Sequence, residues 1–299
     1  KLTWHKGNSS ENTVSLMTAH VSNGNTTTIT EGFTYDHMDR LISHTHQINA
    51  QAPVTLVTND YNAIGELIEK NLGGSAQSVD YRYNERGWLT TINGGTFDND
   101  DGNDKFGLEL KYDDSPAGHA QYNGNIGQML WKSLDLEPTT SDDLQYYDFT
   151  YDGLNRLKQA EHSSANPAYS DQYTVSGDDN GIRYDLNGNI KNLMRKYQGS
   201  VVDDLTYEYL GNQLTSVGDS ASNALFDEAA SEGHTAEEYR YDANGNMIAD
   251  ANKPISSITY NYLNLPEQVV VPDGTIYYTY NAQGVKLRKF FDKISSADE

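Results

Sequence analysis

The sequence predicts an all-β protein: a continuous antiparallel sheet of β-hairpin repeats that curls into a spiral or partial shell, with one short helical insertion. Three observations predict it. Tyrosine is in excess, with 22 residues against 7 phenylalanines in a chain whose hydrophobic content is only 36%. One short tyrosine-centred phrase recurs along most of the 299 residues. Asparagine and glycine follow many copies at the spacing of a tight turn. Tyrosine brings a large apolar ring and a hydroxyl that seeks a partner, so this composition favours extended, half-wet sheet over a helical core.

The phrase reads aromatic-x-Tyr-Asp/Asn, then two or three turn-type residues, a polar residue and an apolar one. Phe33-Thr34-Tyr35-Asp36-His37-Met38-Asp39-Arg40-Leu41 is the first copy, and Tyr61-Asn62 begins a weaker one. Further copies centre on Tyr83-Asn84, Tyr151-Asp152, Tyr184-Asp185, Tyr241-Asp242, Tyr260-Asn261 and Tyr280-Asn281. The copy at Tyr209 is one residue shorter, and the one begun by Tyr112-Asp113 is interrupted by Ser115-Pro116.

Residues at i and i+2 share one face of a strand, so the aromatic pairs Tyr239/Tyr241 and Phe149/Tyr151 are expected to stack on one side. The Asp or Asn after each tyrosine is placed to hydrogen-bond the turn backbone and close it. Asn187-Gly188 and Asn244-Gly245 are strong signals of a two-residue type I′ turn, which needs positive φ at both residues. Each copy is therefore read as strand, tight turn, strand. Tyr35, Asp36, Tyr83, Tyr151, Asp152, Tyr184, Asp185, Gly188, Tyr209, Tyr241, Asp242, Gly245, Tyr260 and Tyr280 are the predicted structural-repeat residues.

An isolated hairpin is marginal in water, so successive hairpins are expected to pair edge to edge. About ten of them make a ribbon of roughly twenty strands, and an open sheet beyond ~10 strands curls or splits. Between the copies, Phe97 to Asp104 reads as a solvated acidic loop and Ser163 to Asp171 as a polar connection. The stretch from Asp219 to Gly233 reads as the one short helix, capped at both ends. Nothing resembles an interdomain linker, so residues 1–299 are read as a single repeat region and a segment of a larger protein.

The residue counts narrow the function. With no cysteine, disulfide scaffolds and thiolate metal sites are excluded. No run approaches the ~18 consecutive apolar residues of a membrane-spanning helix. Lys1 to His5 lack the apolar core of a signal peptide, as a trimmed chain also would. A formal charge of −22 repels phosphate backbones, so nucleic acid is not an expected partner. The densest basic cluster, Lys286, Arg288, Lys289 and Lys293, reads as the solvated face of one strand.

Tyr184-Asp185-Leu186-Asn187-Gly188-Asn189-Ile190 and Tyr151-Asp152-Gly153-Leu154-Asn155-Arg156-Leu157 resemble the YD repeat of the Rhs family, which includes bacterial Rhs proteins, toxin-complex cocoon subunits and the teneurins. The resemblance extends from about Phe33 to Phe290. It implies a β-sheet strip wound into a hollow shell, enclosing a C-terminal toxin in bacterial members and supporting cell adhesion in teneurins. Two departures stand out. The chain has no Asp-Pro dipeptide of the kind that marks self-cleavage, and nothing after Phe291 resembles an effector. Self-cleavage and toxicity are therefore assigned to no residue.

Chemical motifs are sparse. There is no Gly-x-Ser-x-Gly elbow and no phosphate-binding glycine loop. His44 and His46 share a strand face near His37, a spacing compatible with zinc, but solvated strand histidines are the simpler reading. Asp98, Asp100, Asp101 and Asp104 offer hard oxygen ligands without the spacing of a calcium loop. The Asp-x-Asn-Gly-Asn phrases are better explained as turns. Trp4, Trp88 and Trp131 are candidates to stack on sugars, against a structural role in the aromatic ladder. The expectation is a non-enzymatic structural wall, without cofactor or metal, in a secreted or cell-surface bacterial protein. Its partner would be an enclosed or adjoining polypeptide, with a glycan- or protein-binding adhesion module as the alternative.

Overall fold

The computed structural model describes residues 3–6, 12–22, 24–74, 76–94, 104–116, 118–133, 144–164, 173–176, 181–221 and 238–294. The described residues are all-β, in long antiparallel sheet, with no helix among them. The predicted helix lies outside the described residues from Ser222 onward. Asp219 itself ends a strand, and its carboxylate accepts the Asp204 and Ala221 N–H groups. The chain divides into two compact units, one of Lys1–Phe149 with Ser163–Ser170, the other of Thr150–His162 with Asp171–Glu299.

The first unit is a meander. Its strands are β1 (Thr3–Lys6), β2 (Asn12–Ser22), β3 (Asn25–Tyr35), β4 (Leu41–Ile48), β5 (Val54–Tyr61) and β6 (Leu67–Leu72). They continue as β7 (Gln77–Tyr83), β8 (Leu89–Ile92), β9 (Phe106–Lys111), β10 (Gln128–Ser133) and β11 (Gln145–Tyr151). Each pairs antiparallel with the next in sequence. Pairing between neighbours in sequence keeps the loops to be closed local, so each hairpin needs only its predecessor as a template.

The second unit begins with β12 (Leu157–Ser164), β13 (Thr174–Ser176), β14 (Arg183–Tyr184), β15 (Ile190–Tyr197), β16 (Ser200–Leu210) and β17 (Gln213–Asp219). Here β15 receives both β13 and β14 on one side and β16 on the other. Next come β18 (Tyr239–Tyr241), β19 (Met247–Asp250), β20 (Ser257–Tyr260), β21 (Pro266–Val271), β22 (Gly274–Tyr280) and β23 (Lys286–Lys293). The expected continuous ribbon is broken here: β18 pairs with β19, while β20 to β23 form their own four-stranded sheet. The strands at the breaks, β18, β19 and β20, are only 3–4 residues long. Glu238 N–H donates to the Thr215 carbonyl across the first break, and Asp250 and Ile255 exchange two backbone hydrogen bonds across the second.

Among the described residues there is little deep core: Tyr112, Ala160, Ile182, Val202, Leu205, Ala249 and Ile258 are the buried apolar residues there, and most strand positions are half-buried. This matches the low hydrophobic content and leaves hydrogen bonding and ring packing a larger share of the work. Asp104, expected in a solvated loop, is instead buried at 3% exposure, two residues before β9 begins. Asp98, Asp100 and Asp101 lie outside the described residues, as does most of the Ser163 to Asp171 connection. The basic residues of β23 are exposed as expected, though alternation divides them between the two strand faces.

Candidate functional site

The repeated unit is a hairpin with a fixed internal geometry, and it differs from the predicted type I′ turn. Tyr35 faces Leu41 across a five-residue connection, Asp36 to Arg40. Asp36 N–H donates to the Arg40 carbonyl at 2.9 Å, and Asp39 N–H returns to the Asp36 carbonyl at 3.1 Å. The same pair of bonds closes the turns after Tyr61, Tyr83, Tyr151, Tyr184, Tyr241, Tyr260 and Tyr280. Only the fourth turn residue has positive φ: Asp39 at 58°, Asn155 at 63°, Gly188 at 91°, Asn264 at 55° and Gly245 at 84°. This is a three-residue loop, a type I turn followed by a left-handed bulge residue. Asn187 and Asn244 stay at negative φ, so neither Asn-Gly pair is type I′. That geometry occurs instead at Gln198-Gly199, where both residues have positive φ between the paired Tyr197 and Ser200. The shorter copy at Tyr209 turns through Gly211-Asn212 with positive φ at Gly211.

The predicted turn-closing role of the Asp is observed, and its carboxylate sets the turn type. Asp185 Oδ1 accepts the Asn187 and Asn189 N–H groups at 2.9 and 2.8 Å, and Oδ2 accepts the Asn189 side-chain amide at 2.9 Å. Asp242 does the same with Asn244 and Asn246. In Asp36 and Asp152 the Oδ2 partner is an arginine, Arg40 or Arg156. The Asn189 and Asn246 side-chain amides hold the Asp185 and Asp242 carboxyls below the usual 3.8, with backbone N–H groups adding to the effect. Asp152 is lowered first by the Arg156 N–H. At Asp36, partial loss of water pushes the carboxyl up, but the Arg40 and Met38 N–H groups and the Arg40 guanidinium outweigh it. With both oxygens engaged by N–H donors, these carboxylates act as turn caps.

At the base of these turns the register shifts by one residue, at Tyr35, Tyr61, Tyr83, Tyr184, Tyr209, Tyr241, Tyr260 and Tyr280. A bulge at a fixed place raises the local twist of every hairpin in the same sense.

The tyrosines join one hairpin to the next. Tyr61 OH donates to the Leu41 carbonyl, Tyr83 OH to Leu67 and Tyr112 OH to Leu89, each at 2.9 Å. In the second unit Tyr184 OH donates to Leu157, Tyr209 to Ile190, Tyr260 to Met247 and Tyr280 to Pro266. In every case the acceptor is the first apolar residue after the preceding turn. Burial pushes the Tyr83, Tyr112, Tyr151, Tyr184, Tyr209, Tyr241 and Tyr260 phenols up, and Glu66, Asp185 and Asp242 add to this at Tyr83, Tyr209 and Tyr260.

A second row of contacts, absent from the sequence reading, runs from the last turn residue to the next hairpin. The Arg40 guanidinium lies 4.7 Å from the Tyr61 ring centre, and Arg156 lies 4.4 Å from Tyr184. Asn189 and Asn246 donate to Asn212 and Asn264. Trp88 occupies the equivalent position and packs on Tyr112 at 5.1 Å. The available signal was the polar residue just before the final apolar one of the phrase, whose target became identifiable only with the hairpins in register.

The remaining candidates are placed as follows. Trp131 stacks on Tyr147, and Tyr147 on Phe149, within the aromatic ladder. His44 stacks on Phe33 at 4.4 Å and approaches Glu31 at 3.4 Å, while His37 is on the exposed turn. Among the described residues no group of three His, Asp or Glu side chains gathers as a metal site. A concave groove of about 450 Å³ lies beside Trp88, lined by Tyr83, Asn84, Glu85, Arg86, Trp88, Asp113 and Gln121.

No protein-family model matches the chain, and no curated protein matches its sequence. Among solved structures it is similar to a chain of a mutant Tc holotoxin pore from Photorhabdus luminescens, with a TM-score of 0.59 at 14% identity. The alignment covers 94% of this chain and 13% of that one. A porin-like protein from Bacteroides uniformis aligns over 93% of this chain and 94% of its own at 10% identity, but a TM-score of 0.19 carries no likeness of fold. The fold shared with the holotoxin chain is a toxin-complex-like antiparallel β-sheet, and this chain spans about an eighth of that chain's length.

Proposed function

We propose that the chain is a non-enzymatic segment of a curved wall, of the Rhs/YD-repeat kind, in a secreted or surface-displayed bacterial protein. The wall encloses or presents another polypeptide. The observation that carries this reading is the tyrosine rung, made by Tyr61, Tyr83, Tyr112, Tyr184, Tyr209, Tyr260 and Tyr280 to an earlier hairpin with the same donor and the same acceptor position. A sheet built this way extends by adding hairpins and needs no second layer to complete it. The turn carboxylates and repeat phenols serve this lattice, which argues against their use in catalysis. Likeness to one stretch of a much longer holotoxin chain supports a role as part of a wall within a toxin-type assembly.

The test uses the full-length native gene product. Limited proteolysis followed by mass spectrometry is expected to find a polypeptide outside the repeats that survives while folded and is cut once the sheet is denatured. Equal cleavage of every non-repeat segment in the native state would refute the enclosing role.

A further inference from the structure

The groove beside Trp88 goes beyond the wall role, and it lies where the repeat departs from its own pattern. At other copies the last turn residue is mainly Arg, Asn or Glu, and a regular hairpin follows. At this copy the residue is Trp88, and the connection after Tyr112 is a long excursion, Asp113 to Gly127, before β10. Tyr112 keeps its rung to Leu89, so the excursion is added to an intact lattice rather than replacing it.

The excursion is fastened at both ends. Asp114 Oδ1 accepts the Tyr112 N–H, Ser115 Oγ donates to the Tyr112 carbonyl, and Gln121 N–H donates to that same carbonyl. Gly127 N–H donates to the Lys111 carbonyl, and a Cβ there would come within 2.1 Å of the His119 carbonyl oxygen. Gly124 lies so close to the indole that a Cβ would sit 3.1 Å from Trp88 Cζ2. Arg86 crosses from the turn to this loop: Nη1 donates to the Tyr122 carbonyl at 2.7 Å, and the guanidinium lies 4.9 Å from the Trp88 ring centre. The groove is thus largely formed before any ligand arrives, which lowers the ordering cost of binding.

We infer that this groove binds a neutral saccharide. Its volume of about 450 Å³ falls within the ~300–1,000 Å³ range of small-molecule sites. The lining is two aromatic side chains, Tyr83 and Trp88, with two carboxylates, two carboxamides and a guanidinium. The carboxylates of Glu85 and Asp113 make no hydrogen bond or ion pair among the described residues. A phosphorylated ligand meets two carboxylates and only one cation. A cationic amine meets the fixed Arg86 guanidinium. A large apolar ligand would leave the charged groups desolvated and unpaired. A ring that offers hydroxyls to the Glu85 and Asp113 carboxylates and to the Gln121 side chain, and C–H groups to what Tyr83 and Trp88 leave exposed, suits this lining.

The test is a glycan-array screen of the purified chain, followed by titration of the best hit monitored by tryptophan fluorescence. Asp113→Ala and Gln121→Ala are then compared with Glu208→Ala, which lies far from the groove in sequence and on another strand. Binding at micromolar to millimolar concentration is expected, with the two groove variants weakened roughly tenfold or more, the loss of one charged or bidentate contact. Glu208→Ala should bind as the parent does, and all three should keep the parent's melting temperature within a few degrees. Absence of any glycan hit, tighter binding of a polyamine or of inorganic phosphate, or a hit untouched by both groove variants would each overturn the assignment.

Discussion

The Tyr209 hydroxyl donates to the Ile190 carbonyl at 2.9 Å, and Ile190 is the residue that faces Tyr184 across the preceding hairpin. Tyr184 in turn donates to Leu157. The side chain that closes one hairpin therefore fixes the distance and register of the next. A backbone carbonyl has two lone pairs, so the rung adds to the strand ladder without competing with it.

Tyr209→Phe removes one rung and leaves the ring packing in place. A hydrogen bond of this kind contributes about 0.5–1.5 kcal/mol net, so urea denaturation should show a loss of that size. Tyr262→Phe is the control, because Tyr262 is 85% exposed and makes no rung. Equal stability of Tyr209→Phe and the parent would show that the rung contributes nothing.

Gly245→Val should destabilise the second unit by about 1–2 kcal/mol, the cost of forcing an L-residue into the left-handed region, with β-branching adding to it. The nearest atom to an added Cβ is Gln213 Nε2 at 3.9 Å, so the penalty is in the backbone and not in a clash. Gly245→Asn should cost far less, since Asn155 and Asn264 already hold the equivalent position at φ 63° and 55°. Equal damage from Val and Asn in thermal melts would refute the single-bulge geometry.

The turn acids predict a specific response to acid. Asp36, Asp152, Asp185 and Asp242 are held below 3.8 by N–H donors present only in the folded turn. Above that pH both folded and unfolded chains carry the charge, and the full contribution is present. As the pH falls, the unfolded chain takes up protons first, and the contribution drains away until the folded carboxyls are protonated too. Asn62 and Asn84 make the same two backbone contacts through an amide oxygen. Replacing the four acids by Asn should therefore keep the fold at neutral pH and flatten the fall in melting temperature below about pH 4. An unchanged acid slope would place the effect elsewhere among the 43 acidic residues.

How much of this was legible depends on distance along the chain. The tyrosines, the closing Asp and the strand-turn-strand unit are encoded within about nine residues, and the phrase displays them directly. The turn type was misread because Asn-Gly serves both geometries. The choice is made by Asp185 and Asp242, whose carboxylates tie down the N–H groups two and four residues on and leave positive φ to the glycine alone. The rungs and the Trp88 groove were not legible. Tyr83 and Gln121 are 38 positions apart in sequence, and only the sheet register and the anchored excursion bring them to one concavity.

The tyrosines also predict a loss of stability in alkali. Burial raises the Tyr81, Tyr83, Tyr112, Tyr151, Tyr184, Tyr209, Tyr241 and Tyr260 phenols above 10.0, so the folded state favours the protonated donor. This contribution is complete below about pH 10, where both states are protonated. It is lost as the pH rises and the unfolded chain ionises first. Ultraviolet difference spectra should show these raised phenols ionising late, in a cooperative transition that accompanies unfolding. At Tyr83, Tyr209 and Tyr260 a neighbouring Glu66, Asp185 or Asp242 adds to the upward shift. Asp185→Asn should therefore bring the Tyr209 phenol down and leave Tyr112, whose shift comes from burial alone, in place. A single smooth titration of all phenols, without a late cooperative step, would show that the rungs are open to solvent and do not hold the hairpins together.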